Sequence, residues 1–209
     1  MKVLLLNGSP HKNGCTYTAL SVIAEQLKKH EIDSEIVHIT AKPVRGCCAC
    51  GSCKKSGKKR CVFLDGGVNE VIDKLEETDG LIVGSPVYYA SPNGTVLSFL
   101  DRMFCAGSSY LASKPAAAIV SARRAGTTAS LDALNKYFTI NRMPVVSSNY
   151  WNMVHGNCPE DVMKDEEGLQ IMRVLADQMA WLLQCIEAGK QAGIQVPEIE
   201  EKITTNFIR

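Results

Sequence analysis

Several features are missing from this 209-residue sequence, and each absence removes a class of protein. No apolar stretch reaches the roughly 20 residues that a membrane span needs, and the run Val3 to Leu6 near the N-terminus is too short for a secretory h-region. Charge is balanced: 23 Lys+Arg stand against 22 Asp+Glu, so there is no global basic field for nucleic acid and no acidic tail. No self-similar period is present, which removes solenoids, and the one compositionally biased stretch is a short basic run. These absences predict a cytoplasmic protein that engages neither a membrane nor nucleic acid.

Cysteine, by contrast, is abundant, with nine residues. In a short secreted chain that number predicts a disulfide scaffold, but in a reducing compartment the thiols are reduced, metal-bound or reactive.

Apolar periodicity alternates along the chain. Residues 3–6, 34–39, 80–84, 115–120 and 144–148 read as strands, and residues 16–29, 68–77, 94–104, 127–138 and 165–188 as helices. Apolar strands alternating with helices predict an α/β fold, a doubly wound five-stranded parallel sheet with helices on both faces. Ligands of such sheets bind beyond the carboxyl ends of the strands, so the loops after strands one, three and four are expected to share one site within a domain spanning 1–190. Outside the alternation lie a Cys/Lys-rich insertion, 41–67, and a tail, 191–209.

The first loop, Asn7 to Thr18, brings hydroxyls and small residues to a helix N-terminus, where free backbone N–H groups suit a phosphate. It is neither a Walker loop nor Gly-x-Gly-x-x-Gly, which disfavours ATP and a Rossmann-bound dinucleotide. The alternative is that Ser9 and Thr16 only cap the helix. The second loop, Gly84 to Gly94, sets Tyr88 and Tyr89 between prolines, which offers flat faces on stiff backbone to a planar heterocycle, unless the tyrosines pack as core. The third loop carries Arg123 and Arg124 into a helix start. One of them could offset charge on a reduced ring or hold a nucleotide phosphate, and the other is more simply solvated.

Together, the Gly8-Ser9-Pro10 start, the Gly84-Ser85-Pro86-Val87-Tyr88-Tyr89 loop and Phe99-Leu100-Asp101-Arg102 resemble the flavodoxin-like NAD(P)H-dependent FMN reductases, in the branch that includes the iron–sulfur flavoproteins. The resemblance implies strand order 2-1-3-4-5 and noncovalent FMN. Its phosphate would lie on Ser9, Thr16, Tyr17 and Thr18, with His11 and Cys15 in the same loop. The ring would lie on Pro86, Val87, Tyr88 and Tyr89, and Ser121, Arg123, Arg124 and Gly126 would close the pyrimidine side. Cys15 departs from the Asn or Ser common in relatives, and a thiol is a weak donor. The chemistry would be the flavin's, with NAD(P)H as hydride donor and a small-molecule acceptor, and no side chain is needed as nucleophile. The four histidines read as structural or exposed. A homodimer or homotetramer is also implied, and Trp151 would either cover the ring or pack in the core.

The insertion holds five of the nine cysteines. Cys47, Cys50, Cys53 and Cys61 form Cys-x2-Cys-x2-Cys-x7-Cys, a spacing suited to a 4Fe–4S cluster. Free or redox-active thiols in a subunit contact, or zinc, remain alternatives. The run Lys54, Lys55, Lys58, Lys59, Arg60 is expected to lower thiolate pKa, or simply to be a solvated loop tip. Cys105, Cys158 and Cys185 stand alone and read as packing residues. The function expected is an FMN-dependent oxidoreductase. The rivals are an electron carrier between protein partners and a zinc-stabilised module without flavin.

Overall fold

The computed structural model describes residues 1–201 and 203–205; the rest of the expected tail, 202 and 206–209, lies outside the described residues. The chain runs β1 (Lys2–Asn7), α1 (Cys15–Lys29), β2 (Asp33–His38), α2 (Ser52–Ser56), α3 (Val68–Glu76), β3 (Gly80–Tyr88), β4 (Ser91–Pro92), α4 (Gly94–Gly107), β5 (Ala116–Ala122), α5 (Thr127–Ile140), β6 (Met153–His155), α6 (Pro159–Val162) and α7 (Glu166–Gln191).

Val3 to Leu6 are wholly buried because β1 lies inside a sheet covered on both faces. Successive side chains of a strand point to opposite faces, and the core divides accordingly. Val3 and Leu5 pack with residues of α1 and α7, whereas Leu4 and Leu6 pack with α3, α4 and α5. The sheet order is β2-β1-β3-β5-β6, all parallel, with the two-residue β4 antiparallel to the end of β3. With β4 set aside, this is the expected flavodoxin-like doubly wound order 2-1-3-4-5. Among the described residues no helix is long and apolar enough to cross a membrane.

The expected edge strand over 144–148 is corrected. Only Val145 bridges β5, through Ala116, and the pairing strand is β6, Met153–His155. Between them the chain leaves the sheet: the Ser148 hydroxyl lies 2.6 Å from the Tyr150 carbonyl oxygen and 2.7 Å from Asn152 Oδ1, a local turn that competes with ladder pairing. The five expected helices are present, with α4 and α7 each extended by three residues at the C-terminus, while α2 and α6 were not legible.

Candidate functional site

Beyond the carboxyl ends of the strands, four loops enclose a cleft of about 650 Å³. The β1–α1 loop contributes Ser9, His11, Cys15 and Thr16, the end of β3 Pro86, Val87 and Tyr88, the end of β5 Ser121 and Arg123, and the β6–α6 loop Gly156 to Pro159. The three loops singled out from sequence therefore converge. Of the fourth, the resemblance points only to the stretch ending at Gly156, because the apolar run at 144–148 draws the edge strand ahead of its actual position.

The first loop is shaped by residues whose role is not visible locally. Asn7, fully buried at the end of β1, accepts from the Ser9 N–H (3.1 Å) and donates to the Lys12 carbonyl (2.9 Å). The Ser9 carbonyl takes the Thr40 hydroxyl at 2.5 Å and lies 2.7 Å from His38 Nε2, both from the end of β2. Ser9 Oγ in turn accepts the His11 N–H (3.1 Å). Gly8 admits no side chain, since a Cβ there would meet Val96 at 2.2 Å.

α1 is preceded by Gly14 at the cap position, with no side-chain cap, so Ser9 and Thr16 do not spend their oxygens on its N-terminus. The first-turn N–H groups have no intrahelical partner and border the cleft, which suits an anion. The buried Thr16 hydroxyl instead meets the Ser121 hydroxyl at 2.8 Å, joining the first loop to the third. Thr18 turns its hydroxyl back to the Gly14 carbonyl, and neither it nor Tyr17 lines the cleft. Burial pushes the Cys15 thiol up, and its sulfur lies 3.7 Å from the Gly156 carbonyl.

Neither tyrosine of the second loop packs as core. Val87 and Tyr88 pair with Pro92 and Ser91 across a tight hairpin whose central residues, Tyr89 and Ala90, are left-handed (φ 49° and 60°). This turn leaves Tyr89 fully exposed and off the cleft wall. Gly126, at φ 93°, lies against the hairpin, and a Cβ there would strike the Ala90 Cα at 2.6 Å. Gly126 and the exposed Arg124 also stand off the wall, while Arg123 is on it. Trp151 is 57% exposed and lines a separate cleft with Asn135 and Tyr150, so it neither covers this site nor packs as core.

The insertion forms a second cavity, about 200 Å³, lined by Cys47, Cys48, Cys50, Cys53, Cys61 and Cys105. Cys105 is thus not an isolated packing residue: α4 carries it to the thiols, its sulfur 4.0 Å from that of Cys47, and its carbonyl accepts from the Cys53 thiol (3.5 Å). Cys158, likewise, lines the first cleft. Among the described residues no three His, Cys, Asp or Glu side chains are gathered at metal-binding spacing, so the thiols share a wall without closing on one point.

The base of the insertion is anchored by Arg102, the largest fully buried side chain. Its Nε donates to the Cys61 sulfur (3.3 Å), and its terminal nitrogens donate to the Phe63 carbonyl (2.7 Å), the Arg45 carbonyl (3.4 Å) and Asp65 (3.1 Å). Asn69 of α3 holds both backbone groups of Cys61. The Arg45 N–H, and then the Arg102 charge, hold the Asp65 carboxyl below its usual range.

Thiol acidity is uneven. Hydrogen bonds from the side chain and then the backbone of Ser52 lower Cys50, whereas burial, followed by the Cys47 sulfur, pushes Cys105 up to about 11. The expected effect of the basic run does not lead at either thiol. Arg60 instead pairs with Asp73, and the Lys59 ammonium lies 4.4 Å from the Tyr110 ring centre.

The family model described as NADPH-dependent FMN reductase matches residues 1–157. The chain belongs to this family. Similar curated proteins include an iron–sulfur flavoprotein of Methanocaldococcus jannaschii, 29% identical over 90% of this chain and 100% of that one. An iron–sulfur flavoprotein of Archaeoglobus fulgidus is 28% identical over 96% of each chain. Among solved structures, RosB with a bound riboflavin-phosphate derivative superposes at TM-score 0.72 with 14% identity, covering 100% of this chain and 94% of that one, a likeness of fold. Membership makes the chain a flavin-dependent oxidoreductase of the FMN reductase type.

Proposed function

We propose that this flavoprotein binds FMN in the four-loop cleft and uses NAD(P)H to reduce a small acceptor such as a quinone or free flavin. The observation that carries this is the uncapped α1 N-terminus opening onto a cleft walled by the Pro86–Tyr88 segment and the β5 end, in a chain of the FMN reductase family. The first-turn N–H groups with Ser9 and Thr16 hold the phosphate, with His11 and Cys15 adjacent to it and Tyr17 and Thr18 set back from the cleft. Pro86, Val87 and Tyr88 flank the ring, and Ser121 and Arg123 close its pyrimidine side, with Tyr89, Arg124 and Gly126 behind that wall. Bound FMN supplies hydride acceptance and one- or two-electron release. The protein's share is to orient the ring and to place Arg123 where it offsets negative charge.

The residues of the second cavity fit a 4Fe–4S cluster held by Cys47, Cys50, Cys53 and Cys61: soft thiol donors share one wall, Cys50 is acidified, and the Cys61 sulfur receives an N–H donor. Among the described residues no three of these side chains are gathered at metal-binding spacing, so loading the cluster requires the thiols to close on one point. This cavity, with the names of the relatives, favours a second reading, an electron carrier between protein partners. Residues 1–190 would form one cytoplasmic flavin domain that assembles as a homodimer or homotetramer.

A visible spectrum of anaerobically purified protein, followed by iron, sulfide and FMN assays, tests both cofactors. A colourless preparation that gains nothing from added FMN sinks the flavin reading. Steady NAD(P)H oxidation with quinone, free flavin or ferricyanide supports the enzyme, whereas inertness to nicotinamides with reduction by ferredoxin supports the carrier.

A further inference from the structure

We propose that Cys47 and Cys105 are a cross-linking pair that closes into a disulfide when the insertion is free of metal, fastening its tip to α4. The inference deepens the cluster reading above, because it concerns the metal-free state of the same cavity.

The two sulfurs already lie 4.0 Å apart, although 58 residues separate them in sequence. A disulfide needs about 2.04 Å, so the pair lacks roughly 2 Å of approach. The means for that approach are present on one side only. Cys105 is fixed on α4, and the Cys53 thiol at the start of α2 rests on its carbonyl. Cys47 lies in exposed chain without regular structure between Pro43 and Gly51, with no ladder or helix bonds to break as it shifts. Both residues are exposed, and only Cys47, whose sulfur attacks first, has to meet the co-reactant, while the partly desolvated Cys105 thiol acts within the protein. Of the other thiols on the wall, Cys61 has its sulfur engaged by the Arg102 Nε–H, and its backbone is clamped by Asn69.

The co-reactant is a low-molecular-weight disulfide such as oxidised glutathione. The Cys47 sulfur attacks one of its sulfurs, the S–S bond breaks, one glutathione thiol leaves, and a mixed disulfide remains. The Cys105 sulfur then attacks Cys47 and displaces the second glutathione. Two protein S–H bonds and one small disulfide become one protein disulfide and two glutathione thiols, which carry away the two protons. The protein pair is oxidised and glutathione disulfide reduced. Cys47, once bonded, is withdrawn from metal ligation, so the locked protein takes up no iron until a dithiol reopens it.

The test uses full-length protein stripped of iron by a chelator under reducing conditions and transferred anaerobically to oxidised glutathione. Free thiols are then alkylated and the digest mapped without reduction. The expected result is a peptide pair joined through Cys47 and Cys105, absent from C105S, together with iron and sulfide uptake that fails for the locked protein and returns after dithiothreitol. Recovery of Cys105 as the alkylated thiol, with disulfides instead joining Cys47 to Cys48, Cys50 or Cys53, overturns the proposal. The mapping is made on iron-free protein, so it reads out whether or not the native preparation holds iron. Absence of iron and sulfide from that preparation sinks the cluster reading alone.

Discussion

At the scale of single residues, the strongest constraint is a charged side chain where apolar ones are expected. Arg102 is 1% exposed and satisfies two carbonyls, a carboxylate and a sulfur, so truncation leaves several acceptors on the insertion base without donors. R102M is expected to lower unfolding free energy by about 2–4 kcal/mol in urea titrations and to speed alkylation of Cys61. Asp65, its partner, has a folded pKa below the unfolded value of about 3.9, so its stabilising contribution is complete above that value. The contribution is lost as pH falls through the lower folded value. Alkylation of the insertion thiols, followed from pH 5 to pH 3 with a reagent that acts in acid, should therefore rise at the acid end in wild type. In D65N it should be raised throughout and lack that step. On the flavin side, G126A places a methyl group 2.6 Å from the Ala90 Cα at a φ of 93°. The hairpin has to shift, and FMN affinity by fluorescence titration is expected to fall roughly tenfold, about 1.4 kcal/mol.

At the scale of elements, the start of α1 is the discriminating feature. A phosphate there gains charge-assisted bonds to backbone N–H groups, each worth about 1.5–3 kcal/mol. Riboflavin, which lacks the phosphate, is therefore expected to bind at least about a hundredfold more weakly than FMN in the same titration; equal affinities would remove the phosphate from this loop. The elements themselves were largely legible. β1, β3 and β5 are apolar runs because both faces are covered, and the five long helices repeat their apolar residues at helical spacing. The sequence misplaces the edge strand because Pro144 to Val146 are as apolar as a strand, while the decision to leave the sheet rests with the Ser148 turn. Asn7, His38 and Thr40 gave no readable signal as builders of the first loop, since only β1–β2 pairing brings His38 and Thr40 to the Ser9 carbonyl. Cys105 looked solitary for the same reason, because its partners arrive from 44 to 58 residues away through tertiary packing.

At the scale of the molecule, the four-loop cleft and the thiol cavity share no lining residue. Changes in one should therefore add to, rather than alter, the other. C47S/C50S is expected to retain FMN stoichiometry within error while reconstituted iron falls to background, and joint loss of flavin would show that the sites are coupled. α4 follows directly on the hairpin whose Val87 and Tyr88 line the cleft, and its Arg102, Cys105 and Ala106 line the thiol cavity. It leaves the hairpin at Gly94 beside the capping Asn93 and carries Cys105 eleven residues later, about 16 Å along its axis. The distance from that hairpin to the thiol cavity is thus set by a helical rod rather than by a loop. One residue inserted within α4 would lengthen that distance by about 1.5 Å and swing Cys105 by about 100° away from the cavity, so the helix acts as the ruler of the protein.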